Sequence, residues 1–266
     1  MSSLSLAEAL LDVQELTRRL RRECPWDREQ TALTIVPHTV EEAYEVADAA
    51  AAEDDAGVHG ELGDLLFQVY FLALLLDEKG KGDLESVARD VHAKLVRRHP
   101  HVFGDAEART AERVRERWDE IKTKEEGREG IFHQVPASLP ALIQARKVQR
   151  RAAVVGYDWP DLAGPLYKLR EELDELSAAT VQAGEPRPET APDADVFHEI
   201  GDVLFTVVNV ARRLNVDPEL ALRATTGRFV ERVERAVELA AERGEDWRAL
   251  DLEAQDQYYE QAKEEL

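Results

Sequence analysis

A chain of 266 residues has room for one large domain or two of about 130, and a hydrophobic share of 44% is enough to build a sizeable core. A net charge of −21 excludes nucleic acid as a direct partner, which demands a basic footprint, and repels free phosphates unless a bound divalent cation reverses the sign locally. Cys24 is the only cysteine, which excludes an intrachain disulfide and a four-cysteine zinc site and makes a reducing, cytoplasmic setting the simplest reading.

Taken in chain order, the N-terminal stretch sets Leu6, Leu10, Val13 and Leu20 on one helical face with charges between them. That pattern is an amphipathic helix, not a signal peptide. After CPWDREQT comes VEEAYEV, a helical segment with Glu42 and Glu45 three residues apart. ELGDLLF, Glu61 to Phe67, then opens the most apolar run of the chain with Glu61 and Asp64 at the same spacing. The run LLFQVYFLALLL is too short to span a bilayer and contains Gln68, so it reads as a helix buried in a bundle core rather than a membrane segment. KLVRRHP follows, carrying Lys94 and Arg98. Composition breaks at residues 123–140, where two prolines and two glycines sit among polar residues. This predicts domains over 1–122 and 138–266 joined by a linker over 123–137. A second break at 183–195, with three prolines, predicts a mobile loop between helices. Strand signals are almost absent, and the fold class is all-α.

The second half repeats the first. REELDEL matches VEEAYEV, EIGDVLF matches ELGDLLF, and RFVERVE follows where KLVRRHP stood. Trp159 corresponds to Trp26, Glu171, Glu172 and Glu175 to Glu41, Glu42 and Glu45, and Glu199 and Asp202 to Glu61 and Asp64. Lys94 and Arg98 correspond to Arg228 and Arg232, each pair four residues apart.

Carboxylates three apart project from one face of a helix. Two such helices packed antiparallel bring four carboxylates to one point, which suits a hard cation such as Mg2+ that takes oxygen ligands and is completed by substrate phosphates. A solvated acidic face competes with this reading. So does a capping box, Thr39-x-x-Glu42, in which Glu42 would satisfy a helix N-terminus. The second copy carries Leu169 at the Thr39 position and has no such cap, so the balance falls to metal. Lys94, Arg98, Arg228, Arg232 and Lys168 suit either a distal phosphate or a surface salt-bridge face. Trp26 and Trp159 suit core or interface packing more often than base stacking. No P-loop, dinucleotide fingerprint or nucleophile elbow is present.

CPWDREQT, EEAYEV, GELGDLLFQV, KLVRRHPHVF, SLPALIQARKVQ and VGYDWPD together closely resemble the MazG family of nucleoside triphosphate pyrophosphohydrolases, from about residue 20 to the C-terminus. The resemblance implies two tandem helical-bundle MazG domains that pair in a homodimer. It implies hydrolysis of NTPs and dNTPs to the monophosphate and pyrophosphate with Mg2+, for which Mn2+ can substitute. It carries the metal-ligand role to Glu41, Glu42, Glu45, Glu61 and Asp64 in the first domain, and to Glu172, Glu175, Glu199 and Asp202 in the second. The second set is taken as the working site, with Glu171 orienting the attacking water and Lys168, Arg228 and Arg232 stabilising charge on the leaving pyrophosphate. The family's asparagine and second phenylalanine are Thr226 and Val233 here, and its closing tryptophan–lysine pair reads as Tyr259 and Lys263. Tyr259, Lys263, Lys94, Arg98 and Trp159 complete the expected substrate-binding residues. Two alternatives stay open: a narrower pyrophosphatase for dUTP or damaged dNTPs, and a non-catalytic helical interaction module.

Overall fold

In the computed structural model, the described residues are 3–104, 110, 114, 130–132, 135–185 and 191–266. They are helical with no strand among them. The chain divides into two compact units, Met1–Arg128 and Glu129–Leu266. Most of the expected linker, and residues 186–190 of the expected proline-rich loop, lie outside the described residues.

Unit 1 runs α1 (Ser3–Glu23), α2 (Pro25–Glu29), α3 (Ala32–Ala51), α4 (Asp55–Asp77), α5 (Leu84–Arg98) and the single turn α6 (Pro100–Phe103). Its centre is the hairpin of α3 and α4, joined by three residues, so the two helices are antiparallel neighbours. Ile35 from α3 and Phe71 and Leu75 from α4 form the core, with Ala32, Phe67 and Leu72 packed against it. Arg21 locks α1 to this hairpin. It grips the Glu78 carboxylate at 2.8 and 2.9 Å and donates to the carbonyls of Asp27 and Gln30 at 2.6 and 3.0 Å. The burial of Glu78 is small beside that hydrogen-bonded guanidinium, which lowers the carboxyl from its ordinary range.

Two local expectations change. Thr39 does not cap a helix: α3 begins at Ala32, capped by Thr31, whose side chain accepts from the Thr34 N–H. Thr39 lies inside α3 and its hydroxyl donates to the Ile35 carbonyl at 3.4 Å, so Glu42 is free of any capping duty. Nor does ELGDLLF open its helix. α4 starts at Asp55 under an Asp54 cap and places Glu61 in the second turn. By length and composition α4 could cross a bilayer, but it packs along α3 and α1 and carries most of the buried side chains described in unit 1. The stripe of α1 is less buried than its pattern predicts, with Leu6 and Leu10 exposed.

Unit 2 runs α7 (Ala141–Val154), α8 (Ala163–Ala183), α9 (Ala194–Arg213), α10 (Pro218–Glu242), a 3₁₀ turn (Trp247–Ala249) and α11 (Leu252–Glu265). The hairpin of α8 and α9 repeats that of α3 and α4. α7 lies against α9, tied by Gln149 Nε2 donating to the Phe205 carbonyl at 2.7 Å. Asp217 caps α10 and pairs with Arg146 of α7 at 2.6 Å. The α10–α11 hairpin has its own small core of Ala236, Leu239, Ala240, Tyr258 and Ala262. Small residues at that seam let the two backbones approach closely, and Arg235 of α10 clamps the end of α11 through Glu265 at 2.7 Å.

Candidate metal and substrate site

Each central hairpin brings its acidic pairs together. In unit 1, carboxylate oxygens of Glu42, Glu45 and Glu61 lie within 4.8 Å of one another. Asp64 is near enough that its charge, after burial itself, pushes the Glu42 carboxyl above its ordinary range; burial and then Glu45 do the same to Glu61. In unit 2, oxygens of Glu172, Glu199 and Asp202 lie within the same 4.8 Å. Glu175 adjoins them: its carboxyl is raised first by a hydrogen bond shared with Glu172, then by burial. Burial at Glu42 and Glu61, the shared hydrogen bond at Glu175, and like charge crowded around all three favour the protonated form. A divalent cation removes that penalty. The donor sets hold only oxygen, which fits Mg2+ or Mn2+ rather than zinc.

The two clusters differ in what surrounds them. Glu172 is buried at 5% exposure, whereas Glu42 is half-buried. Lys168, one turn earlier on α8, sits 2.9 Å from Glu172 and 2.6 Å from Glu171. Those hydrogen bonds raise the ammonium above its ordinary value and keep it charged. The residue at the same place in unit 1 is His38, 3.4 Å from Glu41, with its ring edge against Trp26. Glu41 itself is well exposed and turned to that histidine.

The other expected substrate contacts are not gathered at the carboxylates. Arg228 donates to the Thr225 hydroxyl at 3.0 Å and Lys263 pairs with Glu260 at 3.1 Å. Tyr259 packs against Phe229 across the α10–α11 seam. No hydrogen bond or ion pair among the described residues joins Arg232 or Arg228 to the Glu172 cluster. Arg228 and Arg232 belong to α10, which packs chiefly on α11 and α7 and only lightly on α9, while the carboxylates belong to α8 and α9. Lys94 and Arg98 lie on α5, outside the α3–α4 hairpin that carries unit 1's cluster.

Trp159 lies just before α8. Its ring rests on Gly164 of α8, where a Cβ would lie 2.4 Å from Cε3, so only glycine permits this contact. It borders a cavity of about 460 Å³ together with Gln149, Asp158, Phe205, Asn209 and Arg212. Gln149, Asn209 and Arg212 were not anticipated. The one signal was a departure from the repeat: seven residues after Asp64 stands Phe71, and seven after Asp202 stands Asn209.

Comparison with known proteins fits this geometry. Residues 30–103 match the model of the MazG nucleotide pyrophosphohydrolase domain. Over 259 residues, 96% of each chain, the sequence is 40% identical to the nucleoside triphosphate pyrophosphohydrolase of Escherichia coli K12. The chain belongs to the MazG family. It is also 39% identical, over 97% of its own length and 96% of the other, to the nucleoside triphosphate pyrophosphohydrolase/pyrophosphatase MazG of Thermotoga maritima. YabN of Bacillus subtilis is 36% identical over 94% of this chain but only 51% of its own. The matched MazG domain segment spans α3 and α4 with their acidic pairs, and the repeat extends the same hairpin to unit 2.

Proposed function

We propose that this chain is a divalent-metal-dependent hydrolase that cleaves NTPs and dNTPs to the monophosphate and pyrophosphate, as a homodimer in the cytoplasm, and that unit 2 is the working site. The observation that carries the choice of unit is the convergence of buried Glu172 with Glu199 and Asp202, beside a lysine that stays charged. A buried carboxylate needs a cation, and Lys168 supplies one until metal and substrate arrive.

Glu172, Glu175, Glu199 and Asp202 would hold Mg2+ or Mn2+, which supplies charge neutralisation for the triphosphate and acidifies a bound water. Glu171, on the same turn as Glu172 and partly exposed, is placed to accept a proton from the attacking water. Lys168 is then released from Glu172 to a phosphoryl oxygen, where a fixed ammonium stabilises charge on the leaving pyrophosphate. Arg228 and Arg232 serve that same charge only if α10 moves toward α8 or the corresponding helix of a second copy supplies them. Unit 1 keeps a carboxylate cluster with no lysine at Glu42 and is read as mainly structural.

The test is pyrophosphate release from the eight common NTPs and dNTPs, with Mg2+ and with EDTA. Release that EDTA abolishes, and that Glu175→Ala lowers by at least about 100-fold while Glu45→Ala leaves it nearly intact, supports the reading. The reverse pattern moves the working site to unit 1. Release from a single nucleotide would select the narrow pyrophosphatase, and no release at all a binding module.

A further inference from the structure

The cavity beside Trp159 has no task in the phosphate chemistry, and its contents are unlike those of a phosphate site. Arg212 is the one cation among the residues named above, and it is already spent. Its guanidinium holds both oxygens of Asp158 and donates to Asn209 Oδ1 at 2.7 Å. Burial raises the Asp158 carboxyl, but the bonds and charges of Arg212 and Arg213 outweigh it and hold it below its ordinary value, so Asp158 stays ionised and holds Arg212, with Arg213 also on it at 3.4 Å and on the Pro160 carbonyl at 3.3 Å. What remains for a ligand is neutral. Asn209 keeps its amide nitrogen without a protein partner among the described residues. Gln149 is 6% exposed, gives its Nε2 to the Phe205 carbonyl, and leaves Oε1 with no donor among the described residues. A buried orphan acceptor is costly and is relieved when a ligand supplies the missing donor. Trp159 and Phe205 add aromatic faces to this donor–acceptor pair.

Position adds a second argument. Phe205 and Asn209 follow Asp202 by three and seven residues, on the same face of α9 and roughly 5 and 10 Å along its axis. On α8, the Trp159 ring lies at Gly164, one turn before Lys168. Along both helices the cavity is therefore one or two turns from the carboxylates. In unit 1 the corresponding space is closed: Phe71, at the Asn209 place, is fully buried between Ile35 and Leu75.

We propose that this cavity receives the nucleobase of the substrate, with Trp159 stacking on it and Gln149 and Asn209 bonding its edge. Each common base presents an adjacent donor and acceptor on its pairing edge, so one amide acceptor and one amide donor serve all of them, and the site is permissive toward base identity. The inference rests on the reading of unit 2 as the nucleotide site.

The test compares Gln149→Leu, Asn209→Phe (which copies unit 1), Trp159→Ala and Trp159→Phe, using ATP, UTP and inorganic tripolyphosphate as a base-free competitor. The expected result is a rise in KM of about 5- to 50-fold in the first three variants, carried by KM rather than kcat, with the tripolyphosphate inhibition constant unchanged and Trp159→Phe recovering most of the loss. An unchanged KM for both nucleotides, or a parallel loss of tripolyphosphate binding, overturns the proposal while leaving the hydrolase reading in place. Should the unmodified protein turn over no nucleotide, the hydrolase reading fails separately. The cavity is then judged by the part of the tryptophan fluorescence that Trp159→Phe removes: its quenching by adenosine and uridine in EDTA, lost in Asn209→Phe, supports the proposal, and no such quenching in the unmodified protein overturns it.

Discussion

Glu175 shows how a single carboxyl can act against its own fold. Its hydrogen bond with Glu172, then desolvation and the neighbouring carboxylates, favour the protonated form, so folding raises its affinity for a proton. The sign follows by linkage: such a group adds stability below the ordinary carboxylate range and loses that contribution as pH rises through its elevated value. At neutral pH without metal it strains the site. Glu175→Gln is therefore expected to raise the melting temperature in EDTA at about pH 7 and to have little effect near pH 4.5. The order should invert when Mg2+ is added at neutral pH, because the variant has lost a ligand. Differential scanning calorimetry across pH, with and without Mg2+, checks both halves. By the same linkage Mg2+ binding should weaken as pH falls into the raised carboxyl range and should release protons there, which titration calorimetry in two buffers measures. Lys168 gives the complementary case. Lys168→Met leaves buried Glu172 without its cation, so the loss of stability should be evident in EDTA and largely repaired by Mg2+, while turnover stays low in both.

Among the elements, α8 and α10 depend on single side chains at their first turns. Asp217 accepts from the N–H groups of Glu219 and Leu220 at 3.1 and 3.3 Å while pairing with Arg146. Asp217→Asn keeps the cap and loses the ion pair; Asp217→Ala loses both and strands a partly buried guanidinium whose Nε already lacks a partner. The alanine variant is expected to cost about 2 kcal/mol and the asparagine variant less than half of that, read from urea unfolding. At α8, Gly164→Ala drives a methyl into the Trp159 ring and should cost about 1–3 kcal/mol, with a shift in Trp159 emission showing that the ring has moved. Much of this level could be read from the sequence. Acid spacing placed Glu42 with Glu45 and Glu199 with Asp202 on shared faces, and the repeat gave the pairing of the two hairpins. Helix starts were harder, because Thr39-x-x-Glu42 satisfies the capping pattern as well as Thr31-x-x-Thr34 does, and only the backbone tells them apart. Gln149 and Asn209 could not be found by motif. An amide becomes a ligand group when packing removes its other partners, and that is a property of the folded arrangement rather than of spacing. Arg228 and Arg232 show the opposite limit: charge spacing on α10 is visible in the sequence, but which helices α10 packs against is not.

For the whole molecule the telling quantity is uncovered apolar surface. Leu62, Leu66 and Val69 of α4 and Leu204 and Val207 of α9 are among the large side chains left open. Solvated leucines along the two central hairpins call for a covering surface, and a second copy offers an identical one. The protein is expected to sediment at twice 30.0 kDa. Leu66→Glu and Leu204→Glu should each shift it toward the monomer, with helicity retained by circular dichroism. A monomeric unmodified protein would remove the homodimer from the proposal and leave the site chemistry of α8 and α9 unaffected.

Phe71 and Asn209 also divide labour between the units when the protein is heated. With Phe71 filling its interior, unit 1 has no hollow at the corresponding place for a ligand to fill. Unit 2 keeps a hollow lined by an amide oxygen without a donor, a hole that its own residues do not close. Warmed without substrate, the chain should come apart in two steps, unit 2 first, and a non-hydrolysable nucleotide should delay that first step alone. Duplication then has a use beyond a second copy of the catalyst: one half is free to be a durable anchor, and the other is free to stay unfinished until its substrate arrives.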